Sequence, residues 1–236
     1  MLALVVAAVS GCEDSAASRL NSRAPGLLKQ AGTALSKVSS VKETGANVMS
    51  SQDSSIPYQK VTFTSEMDLS DPSKPSSHTV LSRSGNYLDV YSSGGFLFTQ
   101  DQEGQWHKTA SPGTSSMTPG DLIRMTEGAS NLRLSPTAAG YRISFDVDPR
   151  TLEKLDILAG DEASAADAAG TAGLRTSALY TIARDTMLVE SAKIVMRMPD
   201  VTGEGETTGT VTVKLYDFNQ PVNTVLPEAA GSAREQ

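Results

Sequence analysis

The chain has one cysteine, Cys12, in 236 residues. An intrachain disulfide is excluded, so stability has to come from packing and strand pairing. Lys and Arg are in the minority, 20 against 27 Asp and Glu, for a formal charge of -7. That balance leaves no clustered basic footprint for nucleic acid. No apolar run approaches the roughly 20 residues a helix needs to cross a bilayer. Only two histidines are present, His78 and His107, with no cysteine or acid at a ligand spacing beside them. A metal site has no donor set, and both histidines read as solvent-facing. No Gly-x-Ser-x-Gly elbow occurs, and Ser92-Ser93-Gly94-Gly95 reads as a turn. Gly203-Glu204-Gly205 lies between two strands rather than before a helix, so it is no phosphate cradle. Asp146, Asp148, Asp161 and Glu162 read as solvated acids. The residues assemble no catalytic constellation and call for no cofactor.

What is present begins at the N-terminus. The apolar run Leu2-Ala3-Leu4-Val5-Val6-Ala7-Ala8 leads into Val9-Ser10-Gly11-Cys12. An apolar run of that length ending in small residues is the form of a secretory signal. With a lone cysteine next, it resembles the lipobox of bacterial lipoproteins. The alternative is a chance thiol in a short helix, and no Lys or Arg precedes the run, as a start codon placed too late would explain. The resemblance implies a signal peptide over 1–11, diacylglycerol on the Cys12 sulfur, and tethering to the outer face of the cytoplasmic membrane. Glu13 to Ser18 is small and polar, so 12–23 reads as a lipidated tether.

From Ala24 to Val41 the period is helical: Leu27, Leu28, Ala31, Leu35 and Val38 share one side, with Pro25 where a first turn tolerates it. Then the period becomes two. Val61, Phe63, Met67 and Leu69 alternate with Thr62, Thr64, Glu66 and Asp68, as in a strand with one buried face. The alternation returns over 141–147, 192–198 and 211–215, with less regular strands at 78–83, 86–91, 96–101 and 105–109 between glycine-bearing turns. Short links between strands predict antiparallel hairpins. Thr118-Pro119-Gly120-Asp121 and Asp148-Pro149-Arg150 open two short helices, over 118–125 and 148–158. Gly160 to Gly173, with no large apolar residue, reads as a surface insertion, Asp200 to Gly209 as a hairpin loop, and 227–236 as a flexible tail. Trp106 reads as closing a hairpin. The domain between the tether and the tail, 24–226, is long enough for a substantial core.

A long antiparallel sheet with one apolar face has to cover it, and three helices are available. The fold class is therefore α+β, a curved antiparallel sheet with helices over its apolar face. The order of elements resembles the half-barrel lipoproteins of the LolA, LppX and LprG type. The likeness is carried by the Leu28-Lys29-Gln30 to Val41-Lys42 opening, Gly85-Asn86-Tyr87-Leu88, Gln105-Trp106-His107-Lys108, Tyr180-Thr181-Ile182-Ala183, Leu188-Val189-Glu190-Ser191-Ala192, and Tyr216-Asp217-Phe218-Asn219-Gln220-Pro221-Val222 before Leu226-Pro227-Glu228. The resemblance implies a lipid-anchored extracytoplasmic domain in which half-barrel and helices enclose an apolar cavity for acyl chains or other hydrophobic molecules.

Wide apolar walls with adaptable methionines would suit such a ligand. The lining candidates are Val61, Phe63, Met67, Met125, Ile143, Phe145, Leu152, Leu155, Ile194, Met196 and Met198. The same residues would equally form a filled core, since pattern does not separate a packed interior from a hollow one. Two functions stay open. One is a carrier or sensor of a hydrophobic ligand in the cell envelope; the other is a structural or partner-binding surface lipoprotein. Partners would be the membrane, through the anchor, a lipid, and an envelope protein.

Overall fold

The computed structural model describes residues 17–52, 58–71, 73–101, 103–111, 117–153, 173–199 and 205–235. Cys12, Leu155 and nearly all of the 160–173 insertion lie outside them. Helix α1 spans Ala24–Leu35, α2 Pro119–Arg124 and α3 Pro149–Glu153. The strands are β1 (Ser40–Ser51), β2 (Gln59–Asp68), β3 (Ser76–Arg83), β4 (Asn86–Ser93), β5 (Phe96–Gln100), β6 (Trp106–Ala110), β7 (Ser130–Pro136), β8 (Gly140–Asp146), β9 (Arg175–Ala183), β10 (Val189–Pro199), β11 (Glu206–Tyr216) and β12 (Arg234–Glu235). They form one open sheet in the order β12-β6-β5-β4-β3-β2-β1-β11-β10-β9-β8-β7. Every pairing is antiparallel except β12 with β6. The α+β class with a curved antiparallel sheet and covering helices is the observed one.

Helix α1 forms because Leu27, Leu28, Ala31 and Leu35 make one stripe, and all four are buried. Fully burying each leucine stabilises by about 1.5–3 kcal/mol. The stripe packs on the sheet's inner face, joining Val41, Met67, Ile143, Tyr180, Ile194 and Val213 in one core. The helix stops at Leu35, short of the expected Val41. The backbone of Ser39 and Ser40 is claimed elsewhere: Leu69 N–H donates to Ser39 O at 2.8 Å, and Asn219 N–H to Ser40 O at 2.8 Å. Those bonds start β1.

Strands β1, β7 and β9 carry no clean alternation in the sequence. In β1 the inner positions are Val41, Glu43, Gly45, Asn47 and Met49, and Glu43 is fully buried within the core side. In β9 they are Thr176, Ala178, Tyr180 and Ile182, two of them small. The expected hairpin loop at Asp200 to Gly209 is also corrected, because β11 begins at Glu206 and pairs Gly209 with Met196.

Gly45 is required by a close approach. A Cβ there would collide with the Thr212 carbonyl and with the Phe63 ring, which lies over the glycine. Gly45→Ala is expected to destabilise by about 1–3 kcal/mol through overpacking. A lowered urea midpoint at unchanged slope is the readout.

The tail from Pro227 is not the free end the composition predicts. A 3-10 helix, Glu228–Ser232, packs Ala230 at 0 % exposure, and β12 then pairs with β6 at His107 and Lys108. The route to it leaves β11 through Asp217 and Asn219 at φ 50° and 58°. Asp and Asn tolerate that left-handed turn better than most residues. From there the chain runs as a strap across β1, β2 and β3, bonded by Ser40 Oγ to Gln220 O (2.6 Å), Asn223 N to Glu66 Oε2 (2.6 Å), and Ser76 Oγ with Thr224 Oγ1 (2.8 Å).

Candidate functional site

Strand register places the inner-face residues in rows. One row runs Leu134, Ile143, Tyr180, Ala192, Val213, Gly45, Phe63, Leu81, Leu88 across nine strands. The hairpin turn Ser84-Gly85, both at positive φ, fixes the Leu81–Leu88 pairing. Burial falls along the row: Leu134 to Val213 are buried, Phe63 and Leu81 are half-buried, and Leu88 is 39 % exposed. The cause is the position of the cover. Helices α1 and α2 lie against the β7 end of the sheet, and tyrosine pins them there: Tyr180 Oη donates to Leu122 O at 2.9 Å while its ring meets Phe145 edge-on at 5.0 Å. Burial pushes the Tyr180 phenol far above its ordinary pKa, with the Asp121 charge adding to it, so the hydroxyl stays a donor.

Two further rows open in the same way. Phe145, Ala178 and Ile194 are buried, but Val211 is half-buried and Val61 two strands on is half-buried. Beside them Met196, Gly209 and Met49 are paired, with Met49 37 % exposed. The result is a partly open, largely apolar surface on the inner face, from Met196 and Met198 through Val61 and Phe63 to Leu88, with Asn47 within it and the Phe63 ring filling the space over Gly45.

The eleven sequence candidates divide accordingly. Met67, Met125, Ile143, Phe145, Leu152 and Ile194 are fully buried in the packed core. Val61, Phe63, Met196 and Met198 are half-buried on the open part. Leu155 lies outside the described residues. Met49, Leu81, Leu88 and Val211 belong to this surface and were not singled out from the sequence. Leu81 and Leu88 were within reach, because the two-residue turn between them dictates their pairing.

The histidines find acids that spacing does not reveal. His78 Nε2 lies 2.7 Å from Asp89 Oδ1 across β3 and β4, and His107 Nε2 lies 2.8 Å from Asp101 Oδ2. Among the described residues no group of three metal-ligating side chains converges. The hydrogen bond from His107, with backbone N–H donors of Gln105 and Glu103, holds the Asp101 carboxyl below its usual range. A lowered folded-state pKa gives stability that is present above the unfolded value and lost as pH falls through the folded one. Thermal melts from about pH 7 to about pH 3 are expected to show the loss at the acid end, and Asp101→Asn to flatten part of it.

No protein-family model matches the chain, and no curated protein matches its sequence. Solved structures do resemble it. LprF from Mycobacterium bovis aligns over 87 % of this chain and 97 % of its own, at a TM-score of 0.55 and 13 % identity. A LolA superfamily protein from Nitrosomonas europaea aligns over 87 % and 95 % at 0.34 and 11 %. An outer membrane lipoprotein-sorting protein domain from Vibrio parahaemolyticus aligns over 88 % and 95 % at 0.32 and 8 %. The fold is similar to that of LprF, and it is the curved antiparallel sheet with covering helices that the order of sequence elements implies.

Proposed function

We propose that this is a lipid-anchored, extracytoplasmic lipoprotein that binds a hydrophobic ligand, a lipid or acyl chain, on the inner face of its half-barrel. The carrying observation is the decline of burial along the Leu134–Leu88 row, which leaves methionine and aliphatic side chains of the core-forming face partly uncovered around Val61, Phe63, Leu81 and Leu88, while Ser65, Thr79 and Val90 in the next row stay buried. An acyl chain laid there would gain about 0.8 kcal/mol per CH₂ removed from water. Methionines at 49, 196 and 198 suit chains of varied shape. Attachment at Cys12 would hold the domain at the membrane surface where such ligands are found. The protein's role is carrying or sensing, not catalysis.

One observation favours the second reading, a partner-binding lipoprotein without ligand. Six of the lining candidates are fully buried, so the deep part of the interior is filled. Native mass spectrometry of the gently purified full chain, with organic extraction, separates the two. Near-stoichiometric co-purifying lipid supports the carrier or sensor. A clean mass that also refuses added fatty acid and phospholipid sinks it.

A further inference from the structure

The outer face carries a second row that the ligand reading does not use. Register aligns Tyr216, Lys42, Glu66, His78, Tyr91, Phe98 and Lys108 side by side across seven strands. The C-terminal strap runs along one side of it, and Asn223 N–H is bonded to Glu66. Beside the row lies a groove of about 380 Å³, walled by Lys42, Thr64, Glu66, His78, Val80 and Tyr216, with Asp217 at its end. Its geometry is set. Lys42 Nζ sits 3.0 Å from Glu66 Oε1, and the His78 ring is stacked on Tyr91 at 4.2 Å and 5° while bonded to Asp89. Tyr91 in turn meets the sole tryptophan, Trp106, at 5.9 Å, so the aromatic track continues beyond the groove.

The wall chemistry selects the ligand. Glu66 and Asp217 outnumber the single cation, which disfavours phosphate, sulfate or a carboxylate ligand. Lys42 is held more basic by its bond to Glu66. Burial alone would raise the Glu66 carboxyl, but the hydrogen bonds from Asn223 and Lys42 hold it low, so both stay charged. A fixed ammonium beside a fixed carboxylate offers strong donors and acceptors at the spacing of neighbouring hydroxyls. Val80 and the imidazole and phenol rings supply apolar surface within the same groove. A molecule that is apolar on one face, hydroxylated at its rim and uncharged fits those walls, and that describes a sugar ring. The strands advance by about 4.8 Å, close to the advance per sugar of an extended glycan.

We propose that this outer-face groove binds a neutral glycan, with a sugar ring against Val80 and His78 and its hydroxyls on Lys42, Glu66 and Thr64. The site is independent of the inner face.

The test is isothermal titration of the full chain, in a zwitterionic detergent without sugar headgroups, against cellohexaose, mannohexaose and chitohexaose, with hexalysine as the contrasting probe. At least one neutral hexasaccharide is expected to bind, and Lys42→Ala and His78→Ala each to weaken it at least about tenfold. Lys193→Ala, exposed on β10, is expected to leave it unchanged. Both substituted groove residues are partly exposed, and an unaltered melting temperature certifies the fold. No hexasaccharide binding, binding indifferent to Lys42 and His78, or heat from hexalysine alone would each overturn the proposal. Loss of lipid binding at the inner face would leave it standing.

Discussion

Replacing Tyr180 with alanine is expected to cost about 3–5 kcal/mol of folding stability, the largest effect of any single side chain here. The residue is 1 % exposed and is the largest side chain in the core. It sits midway along β9, between Ile143 on β8 and Ala192 on β10, and reaches up to the α2 carbonyl of Leu122. It therefore fills volume on the sheet and fastens the helical cover to it. Tyr180→Phe separates these roles. The ring and its edge-on contact with Phe145 remain, while the hydroxyl bond to Leu122 is lost, at about 1–3 kcal/mol. Urea unfolding gives both values, and for a domain of this size each kcal/mol corresponds to about 2–4 °C in melting temperature. A phenylalanine variant as stable as the parent would show that α2 is held by packing alone.

What the sequence reveals of this fold follows where the burial is one-sided and ordinary. Strands β2, β8, β10 and β11 were legible because their inner residues are large and apolar, and the short helices α2 and α3 because of their capping residues. Thr118 caps α2 as the sequence predicts, and the structure adds a reciprocal bond: the Asp121 N–H donates to Thr118 Oγ1 at 3.2 Å while the Asp121 carboxylate accepts from the Thr118 N–H at 2.9 Å. Strand β1 was hidden because its inner face holds Glu43, a buried carboxylate, and Gly45, a gap filled by Phe63, rather than aliphatic bulk. The strap was hidden because its bonds are long-range: 157 residues separate Asn223 from Glu66. No local pattern encodes such a contact. The open inner surface was half legible, in Val61, Phe63, Met196 and Met198, since periodicity assigns a face and not the extent of its cover. Which candidates are packed and which are open is decided by where α1 ends, at Leu35, and by the anchoring of α2 through Tyr180.

The same division between packed and open positions makes the ligand reading sharp. Leu88→Glu combined with Met196→Glu is expected to reduce co-purified lipid at least about tenfold, because a carboxylate set against an acyl chain must be desolvated or protonated, either at a cost of several kcal/mol. In the unliganded protein both positions are open enough to hydrate the new charges. Leu88 is 39 % exposed and Met196 is half-buried, so the melting temperature is expected to move little. Ile194→Glu, at 2 % exposure, would unfold the core and says nothing about the ligand. The informative control is Leu179→Glu. It is 36 % exposed and lies on β9 between the inner-facing Ala178 and Tyr180, hence on the outer face, so it adds the same charge without touching the apolar surface. Lipid retained by Leu179→Glu and lost from the double variant would place the ligand on the open half of the inner face. Equal retention by both would move it elsewhere, and with it the role assigned to the falling burial along the Leu134–Leu88 row.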